Sequence, residues 1–494
     1  MDKAEKILNI ATKRGFFFPT AEIYNGPAGF WTYGHLGSLM KNKFENLWKC
    51  YFLGLNENYF EISGNAILPK KVFESSGHLD KFKDPLTECK KCHFRFRADE
   101  LIEDELKINA EGLNEKELDK IIKDKKLKCP KCNSDLDKVK WFNMMFELKL
   151  GVFGEDIAYL TPESAQNPYL SFKREFSALR EKIPMGLAMI GKAFRNEISP
   201  RKGFFRLREF TQAELQIFFN PEDDFDFSEV KNYKLRLYLN KKLNEIKVED
   251  AYKKLKLPKI YLYHLAKIQQ FYLDTLKIQE DKFRFRELSK EERSFYTKIH
   301  FDVELYLETL NGFKEVAGLH HRGFYDLEVH QKGSGENLEV SIDNKKILLN
   351  VLELSFGVDR NIYSLLDIFY DEDKERSLFK FPANIAPFDI AIFPLVSNEE
   401  KIVKKTKEVY NVLKNKFRIF YDSKGSIGKM YRRADEIGIK AMLTVDFESL
   451  NKNDCTLRDR DTMKQIRVKI KDLPETLNKF LEGEKLDKLG KIIK

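Results

Sequence analysis

Four cysteines and two arginine-bearing stretches concentrate the side chains of this sequence that are able to do chemistry. Cys89-x-x-Cys92 and Cys129-x-x-Cys132 can bring four thiolates to one tetrahedral ion, because each Cys-x-x-Cys sets two sulfurs on one tight knuckle. Four thiolates leave no open coordination position, so the pattern predicts a structural Zn²⁺ site and not a substrate-activating one. Cys50 and Cys455 stand alone, and in a large chain this usage favours metal over disulfides. Residues 93–128, between the two pairs, are charged and helix-like and should loop out as an arm.

Residues 193–219 read as two strands joined by a Ser-Pro-Arg-Lys-Gly loop at 199–203. On the first strand Arg195 and Glu197 share a face. On the second, Arg206, Arg208, Phe210, Gln212, Glu214 and Gln216 share one face by period two, while Phe205, Leu207 and Leu215 turn the other way into a core. At roughly 3.3 Å per residue, Arg206 to Phe210 spans about 13 Å, near the length of a bent nucleoside triphosphate. Arginine can fork onto phosphate oxygens, Phe210 can stack on a purine, and Glu214 stands where a cationic group belongs.

Residues 351–370 supply a second constellation. Glu353 and Ser355 share a strand face, Gly357 ends the strand, and Arg360 falls in the first turn of the helix that follows. There the free N–H groups and the helix dipole already favour an anion. No Gly-x-x-x-x-Gly-Lys-Ser/Thr sequence is present, so a P-loop is not on offer. His320 and His321 are neighbours on a strand and should point to opposite faces, at least one of them structural.

Several elements must position these groups. Strand candidates at 184–198, 204–219, 313–330 and 337–356 surround a charged helical stretch near 225–295, which predicts an α+β architecture: an antiparallel sheet with helices to one side. After a linker at 380–387, strands and helices alternate over roughly one hundred residues, as in an open α/β sheet. The expected organisation is a discontinuous main domain (1–84 and 141–382), a zinc-binding insertion (85–140), a mainly helical insertion (225–300) and a C-terminal domain (385–494).

With 494 residues, 42% hydrophobic and 13% aromatic, the chain is excluded from the disordered classes. No apolar run approaches the ~18–20 residues of a membrane helix, and the N-terminus reads as a charged amphipathic helix without the apolar stretch of a signal peptide. A cytoplasmic protein without a membrane partner is expected. The net charge of +9, from 87 basic and 78 acidic residues, permits a nucleic-acid partner without demanding one.

FRNE, RLREFTQAE and ELSFGVDR resemble the signature motifs of class II aminoacyl-tRNA synthetases. Most of the chain is similar to the homodimeric glycyl-tRNA synthetase family of the archaeal and eukaryotic type, through RGFFFPTAEIYNGPAGFWTYG, EISGNAILPKKVFESSGH, FRADELIE, TPESAQ, EVAGLHHRGFYDL, YRRADEIG and TLRDRDTMKQIRVKI. The resemblance implies a class II catalytic domain, an anticodon-binding domain, ATP with Mg²⁺, glycine and glycine tRNA as partners, and a homodimer. It makes Arg195, Glu197 and Arg360 catalytic, with Arg195 on the α-phosphate and the amino acid carboxylate, and Arg206 and Arg360 on the γ-phosphate. Phe210 would sandwich adenine, Glu315 would help bind ATP with Mg²⁺, and Asn196, Phe205, Val316 and Gly357 would complete the ATP site. Glu163, Glu214, Glu353 and Ser355 would form the glycine pocket, with Phe210, Arg97 and Arg322 close by. Thr161, Leu354 and His35 depart from the family's usual arginine and prolines. The alternatives are a class II synthetase for another amino acid and a non-catalytic RNA-binding paralogue.

Overall fold

Nine strands build one large sheet. In chain order these are β1 (Tyr59–Glu61), β2 (Met185–Phe194), β3 (Glu209–Phe219), β4 (Lys234–Leu239), β5 (Lys242–Lys247), β6 (Phe283–Glu287), β7 (Ile299–Leu307), β8 (Gly312–Gly323) and β9 (Asn350–Gly357). Their spatial order is β5-β4-β6-β7-β8-β9-β3-β2-β1, antiparallel except for the pairs β1–β2 and β4–β6. The computed structural model describes all residues except 1, 111, 199, 201–204, 290, 291, 293–296, 343 and 494.

One face of the sheet is apolar. Ala213, Leu215 and Ile217 of β3, Leu352, Leu354 and Phe356 of β9, and Phe301, Val303 and Leu305 of β7 are all buried there. They meet Phe44, Trp48 and Phe52 of the helix His35–Leu53, Leu262 and Leu265 of Lys259–Gln270, and Val358, Ile362 and Leu365 of Val358–Phe369. Each of the larger side chains among them contributes about 1.5–3 kcal/mol of burial, which anchors the sheet as a rigid platform. The intervening residues put Gln212, Glu214, Gln216, Glu353, Ser355, His320 and His300 on the opposite, polar face. Helices Gln166–Ala178 and Tyr325–Ser334 close one end of that face over Tyr169, Phe172, Leu187, Phe218, Leu327 and Val351. The expectation of helices on one side therefore holds for the main core but not for this end.

Several strand boundaries differ from the sequence reading. The ladder between β2 and β3 ends at the pair Phe194–Glu209, so Arg195, Glu197, Arg206 and Arg208 lie beyond the regular strands. One further backbone bond, Arg195 N–H to Arg208 O at 2.9 Å, continues the pairing. Then the Arg208 guanidinium takes over, donating from Nε and Nη2 to the Glu197 carbonyl at 3.2 and 3.0 Å. Of the loop expected at 199–203, residues 199 and 201–203 lie outside the described residues. The strand expected at 313–330 stops at Gly323, whose φ of +66° turns the chain into the helix Tyr325–Ser334. The expected 337–356 strand is three short ones, Val340–Ile342, Lys345–Ile347 and β9. The stretch 225–300 is not mainly helical: beside the helices Val248–Leu255 and Lys259–Gln270 it supplies β4, β5 and β6, whose Leu235, Leu237, Phe283 and Phe285 alternate into the core.

Between the cysteine pairs the chain forms the helices Ala98–Leu106 and Glu115–Asp124, the latter opened by an Asn114–Glu117 capping box. Ala98, Ile102, Ala110, Leu118, Ile122 and Val139 give this arm a small core of its own. The C-terminal sheet has six strands; Ile419–Tyr421, Ile390–Pro394 and Ala441–Val445 run parallel, and the remainder antiparallel, so it is mixed and not purely open α/β. The segment 380–387 is not an exposed linker, since Phe381, Ile385 and Ala386 are buried. Met430, Ala434 and Ile437 of the helix Ile427–Ile437 join the main core together with Phe16, Phe379 and Phe381. Among the described residues no helix is long and apolar enough to cross a membrane.

Candidate active site

The polar face of β3, β9 and β8 forms the floor of a cavity of about 250 Å³. Arginines collect at one end. The Arg195 guanidinium lies between the rings of Phe82 (5.4 Å) and Phe210 (5.2 Å), and its Nε donates to the Pro162 carbonyl at 3.1 Å. Arg206 donates from Nε to Glu197 Oε2 at 2.7 Å and from Nη1 to Glu100 Oε1 at 2.6 Å. Burial works to lower its pKa, but the two carboxylates outweigh burial and hold it raised. Arg360, in the first turn of the helix Val358–Phe369, pairs with Glu315 Oε2 at 2.8 Å above the Phe205 ring. Its neighbour Asp359 accepts from the Tyr33 hydroxyl at 2.6 Å and from the Thr211 N–H, which pins the start of that helix to β3.

Carboxylates collect at the other end. Glu214 is 2% exposed, and its two oxygens accept from the Ser164 and Ser355 hydroxyls at 2.8 Å each. Burial first, then the charges of Glu353 and Glu163, push its pKa up to about 8. Burial acts on Glu163 in the same sense, but His78 Nε2 at 3.5 Å, Arg322 at 3.8 Å and the Gln166 amide at 2.8 Å hold it well below the usual carboxylate range. Glu353 is likewise held low against its burial by Arg322 Nη1 (2.8 Å) and His320 Nδ1 (2.5 Å), and it also accepts from the Gln216 amide. Two ionised carboxylates thus flank a neutral one. Such a cavity can take a small cation at one end and a polyanion at the other, with the space between them for a reaction that joins the two.

Most of the residues singled out from sequence meet here. Arg195, Glu197, Phe205, Arg206, Phe210, Glu315, Val316, Gly357 and Arg360 line the arginine end, and Glu163, Glu214, Glu353 and Ser355 the carboxylate end. Phe205 and Leu207, expected in the core, also line the cavity wall. Three residues do not reach it. Arg97 stays in the arm, held by Asp84 (3.3 Å) and Asp99 (2.6 Å). Arg322 is 1% exposed and lies beneath the pocket, forked onto Asp326 at 2.7 and 2.8 Å. Asn196 contributes its backbone N–H to Met144 O at 2.8 Å and is not a lining residue. His321 turns away from Glu353 toward Asn350 and Phe219, as the strand period requires.

Phe82, His78, Ser164, Gln166 and Glu100 act in the site without having been singled out. All but Phe82 sit inside the motif strings quoted above; Ser164 and Gln166 stand next to Glu163 in sequence, whereas His78 and Glu100 meet Glu163 and Arg206 only through the fold. Phe82 and His300 carry no local pattern. In the arm, Cys89 Sγ lies 3.4 Å from Cys132 Sγ and Cys92 Sγ 3.6 Å from Cys129 Sγ, all four within 4.8 Å of one another. A tetrahedron with metal–sulfur bonds of about 2.3 Å has edges of about 3.8 Å, so a metal ion fits. Among the described residues no other cluster of this kind occurs.

Residues 152–366 match the family model described as the tRNA synthetase class II core domain (G, H, P, S and T), and residues 389–480 match the anticodon binding domain. The glycine–tRNA ligase of Pyrococcus horikoshii is 39% identical across 98% of this chain and 99% of that protein. The one of Aeropyrum pernix is 34% identical across 100% and 99%, and that of Thermococcus gammatolerans 37% across 98% and 99%. The chain belongs to the glycine–tRNA ligase family. Among solved structures it is similar to a prolyl-tRNA synthetase from Cryptosporidium parvum complexed with L-proline and AMP, with a TM-score of 0.60, 13% identity and coverage of 97% of this chain and 75% of that one. That likeness shows the shared class II fold. The matched core domain runs from before Glu163 to beyond Arg360, so this member of the glycine–tRNA ligase family carries most of its cavity on the class II core; of the lining residues only Phe82 comes from outside it.

Proposed function

We propose that this cavity activates glycine with ATP and that the chain then passes the glycyl group to the 3′ end of its tRNA. The opposed charge of the two ends of one cavity carries this reading. Glycine's ammonium is taken by Glu163, Glu214 and Glu353 with Ser355, and its carboxylate points toward Arg195. Phe210 stacks the adenine, and Arg206 and Arg360 exchange their glutamate partners for the terminal phosphates. A glycine carboxylate oxygen then forms a bond to the α-phosphorus while the bond to the β-phosphate oxygen breaks, and the electron pair leaves with pyrophosphate. In the second step the tRNA 3′-hydroxyl attacks the glycyl carbonyl carbon, AMP departs, and the hydroxyl proton passes to phosphate or water. The chain's part is positioning and charge stabilisation, with no protein nucleophile.

Glu315 and the nucleotide's own phosphates would hold Mg²⁺, which suits an ion bound by one or two carboxylates plus phosphate oxygens. When bound it would offset the charge developing on the leaving pyrophosphate. The four arm cysteines would hold a structural Zn²⁺. Residues 1–84 and 141–382 serve as the catalytic domain, 85–140 as the metal-binding insertion, and 385–494 as the anticodon-binding domain of a cytoplasmic homodimer. Glycine has no smaller competitor, so the pocket has only to exclude larger side chains and needs no editing site. Glycine-dependent exchange of labelled pyrophosphate into ATP tests the reading. Exchange is expected with glycine and should drop about 10²–10³-fold in Arg195→Ala. Exchange driven by another amino acid and not by glycine would overturn it.

A further inference from the structure

His320 plays no part in the mechanism above, yet it stands on the floor of the pocket. In the ladder Gly318 of β8 sits beside Ser355 of β9, and His320 sits beside Glu353. The imidazole does not stand upright from its own position. It lies back across Gly318, with Nε2 only 2.3 Å from where a Cβ of residue 318 would be. The ring thus occupies the floor next to Ser355, where a glycine at 318 leaves a vacant slot.

Two contacts hold it there. Nδ1 lies 2.5 Å from Glu353 Oε1, and on the far side the ring of His300 lies 3.9 Å away, centroid to centroid. His300 is anchored in turn by Nε2 to Asp302 Oδ1 at 3.0 Å. Both imidazoles line the cavity.

We infer that the His320 ring, backed by His300, is a specificity-determining wall that closes the amino acid pocket against side chains larger than hydrogen. The inference rests on the glycine reading given above. With the ammonium drawn to Glu214 and Ser355, a substrate side chain is barred by Glu163 on one flank. On the other flank it would enter the slot over Gly318, which the imidazole fills. A second, separable role is positioning: the Nδ1 contact holds one oxygen of Glu353 in place.

Three variants distinguish bulk from hydrogen bonding: His320→Ala removes both, His320→Ser keeps a hydroxyl near Glu353 but vacates the slot, and His320→Phe keeps the bulk without the polar contact. Pyrophosphate exchange is measured for each with glycine, alanine and serine, beside thermal melting. In His320→Ala and His320→Ser the ratio of kcat/KM for alanine to that for glycine should rise at least about tenfold, while in His320→Phe it stays low and KM for glycine rises. Either small-residue variant that melts cooperatively, still activates glycine and rejects alanine as sharply as the parent chain overturns the inference. A parent chain that shows no glycine-dependent exchange defeats the functional reading itself, a different and separately visible result.

Discussion

Nη1 of Arg206 donates to Oε1 of Glu100 across 2.6 Å, so an arginine at one end of the cavity is held by the cysteine-bearing arm. Glu197 holds the same guanidinium through Nε and Nη2, so Arg206 keeps its place when Glu100 is neutralised. Glu100→Gln should therefore remove a competitor for the nucleotide's phosphates. A half-exposed pair of this kind is worth roughly 0.5–1 kcal/mol, which gives a KM for ATP lower by about two- to fivefold with kcat little changed. Exchange kinetics at varied ATP check this; a higher KM would assign Glu100 a supporting role instead.

Glu214 sets a pH dependence. Its carboxyl, raised to about 8 chiefly by burial, is neutral in the free protein at pH 7. The groups facing it are Ser164 and Glu163 ahead of the helix Gln166–Ala178, and Glu353 and Ser355 of β9. A raised pKa means that this group's share of stability is full below its ordinary carboxylate pKa and is lost as the pH climbs through about 8. An arriving ammonium favours the ionised form, so binding should release close to one proton at pH 7, and glycine affinity should rise by up to about tenfold per pH unit until pH 8. Calorimetry with glycine in buffers of different ionisation enthalpy measures the proton; Glu214→Gln should release none.

Arg322 is the sole arginine shared by Glu353, Asp326 and, more distantly, Glu163 among the described residues. Arg322→Met keeps the length but takes the guanidinium from three buried carboxylates and leaves Asp326 without its fork. Removing one partner from such a buried pair costs about 3–5 kcal/mol, and glycine binding should fail together with stability. Urea denaturation measures the loss, and an Arg322→Met chain as stable as the parent would contradict the role given to the buried fork.

With a metal on its four cysteines, the arm should depend on that site more than on its small core. Chelation, or Cys129→Ser, should release the helices Ala98–Leu106 and Glu115–Asp124, since six buried residues make a modest core without the metal. Hydrogen exchange should rise across those helices while β3 and β9 stay protected. Unchanged exchange, with unchanged metal content, would count against a structural ion.

Strand alternation made the carboxylate floor legible: Glu214 on β3 and Glu353 and Ser355 on β9 are where period two places them, because both strands bury their alternate residues in one apolar core. It failed at Arg206 and Arg208, where side-chain bonds to Glu197 replace the ladder and end the strand early. It also could not place Arg322 below the pocket, since it is the turn at Gly323, from strand into helix, that brings Asp326 back to hold it. His300 and Phe82 were invisible for a related reason. Each becomes part of the site only through a neighbour distant in sequence, His320 for one and Arg195 for the other.

The buried segment at 380–387 has a mechanical consequence. Arg460 donates from Nη1 to the carbonyls of Phe381 and Gly438 at 2.9 Å each, and Phe16 packs edge-on against Phe379 and Phe381. The C-terminal unit is thereby bolted to the core of the main sheet, so the span from its strands to the cavity is a fixed gauge and not a tether. A nucleic acid gripped at both places has to supply any bending itself, and a chain cut at residue 387 would bare Met430, Ala434 and Ile437 to water instead of freeing a finished module.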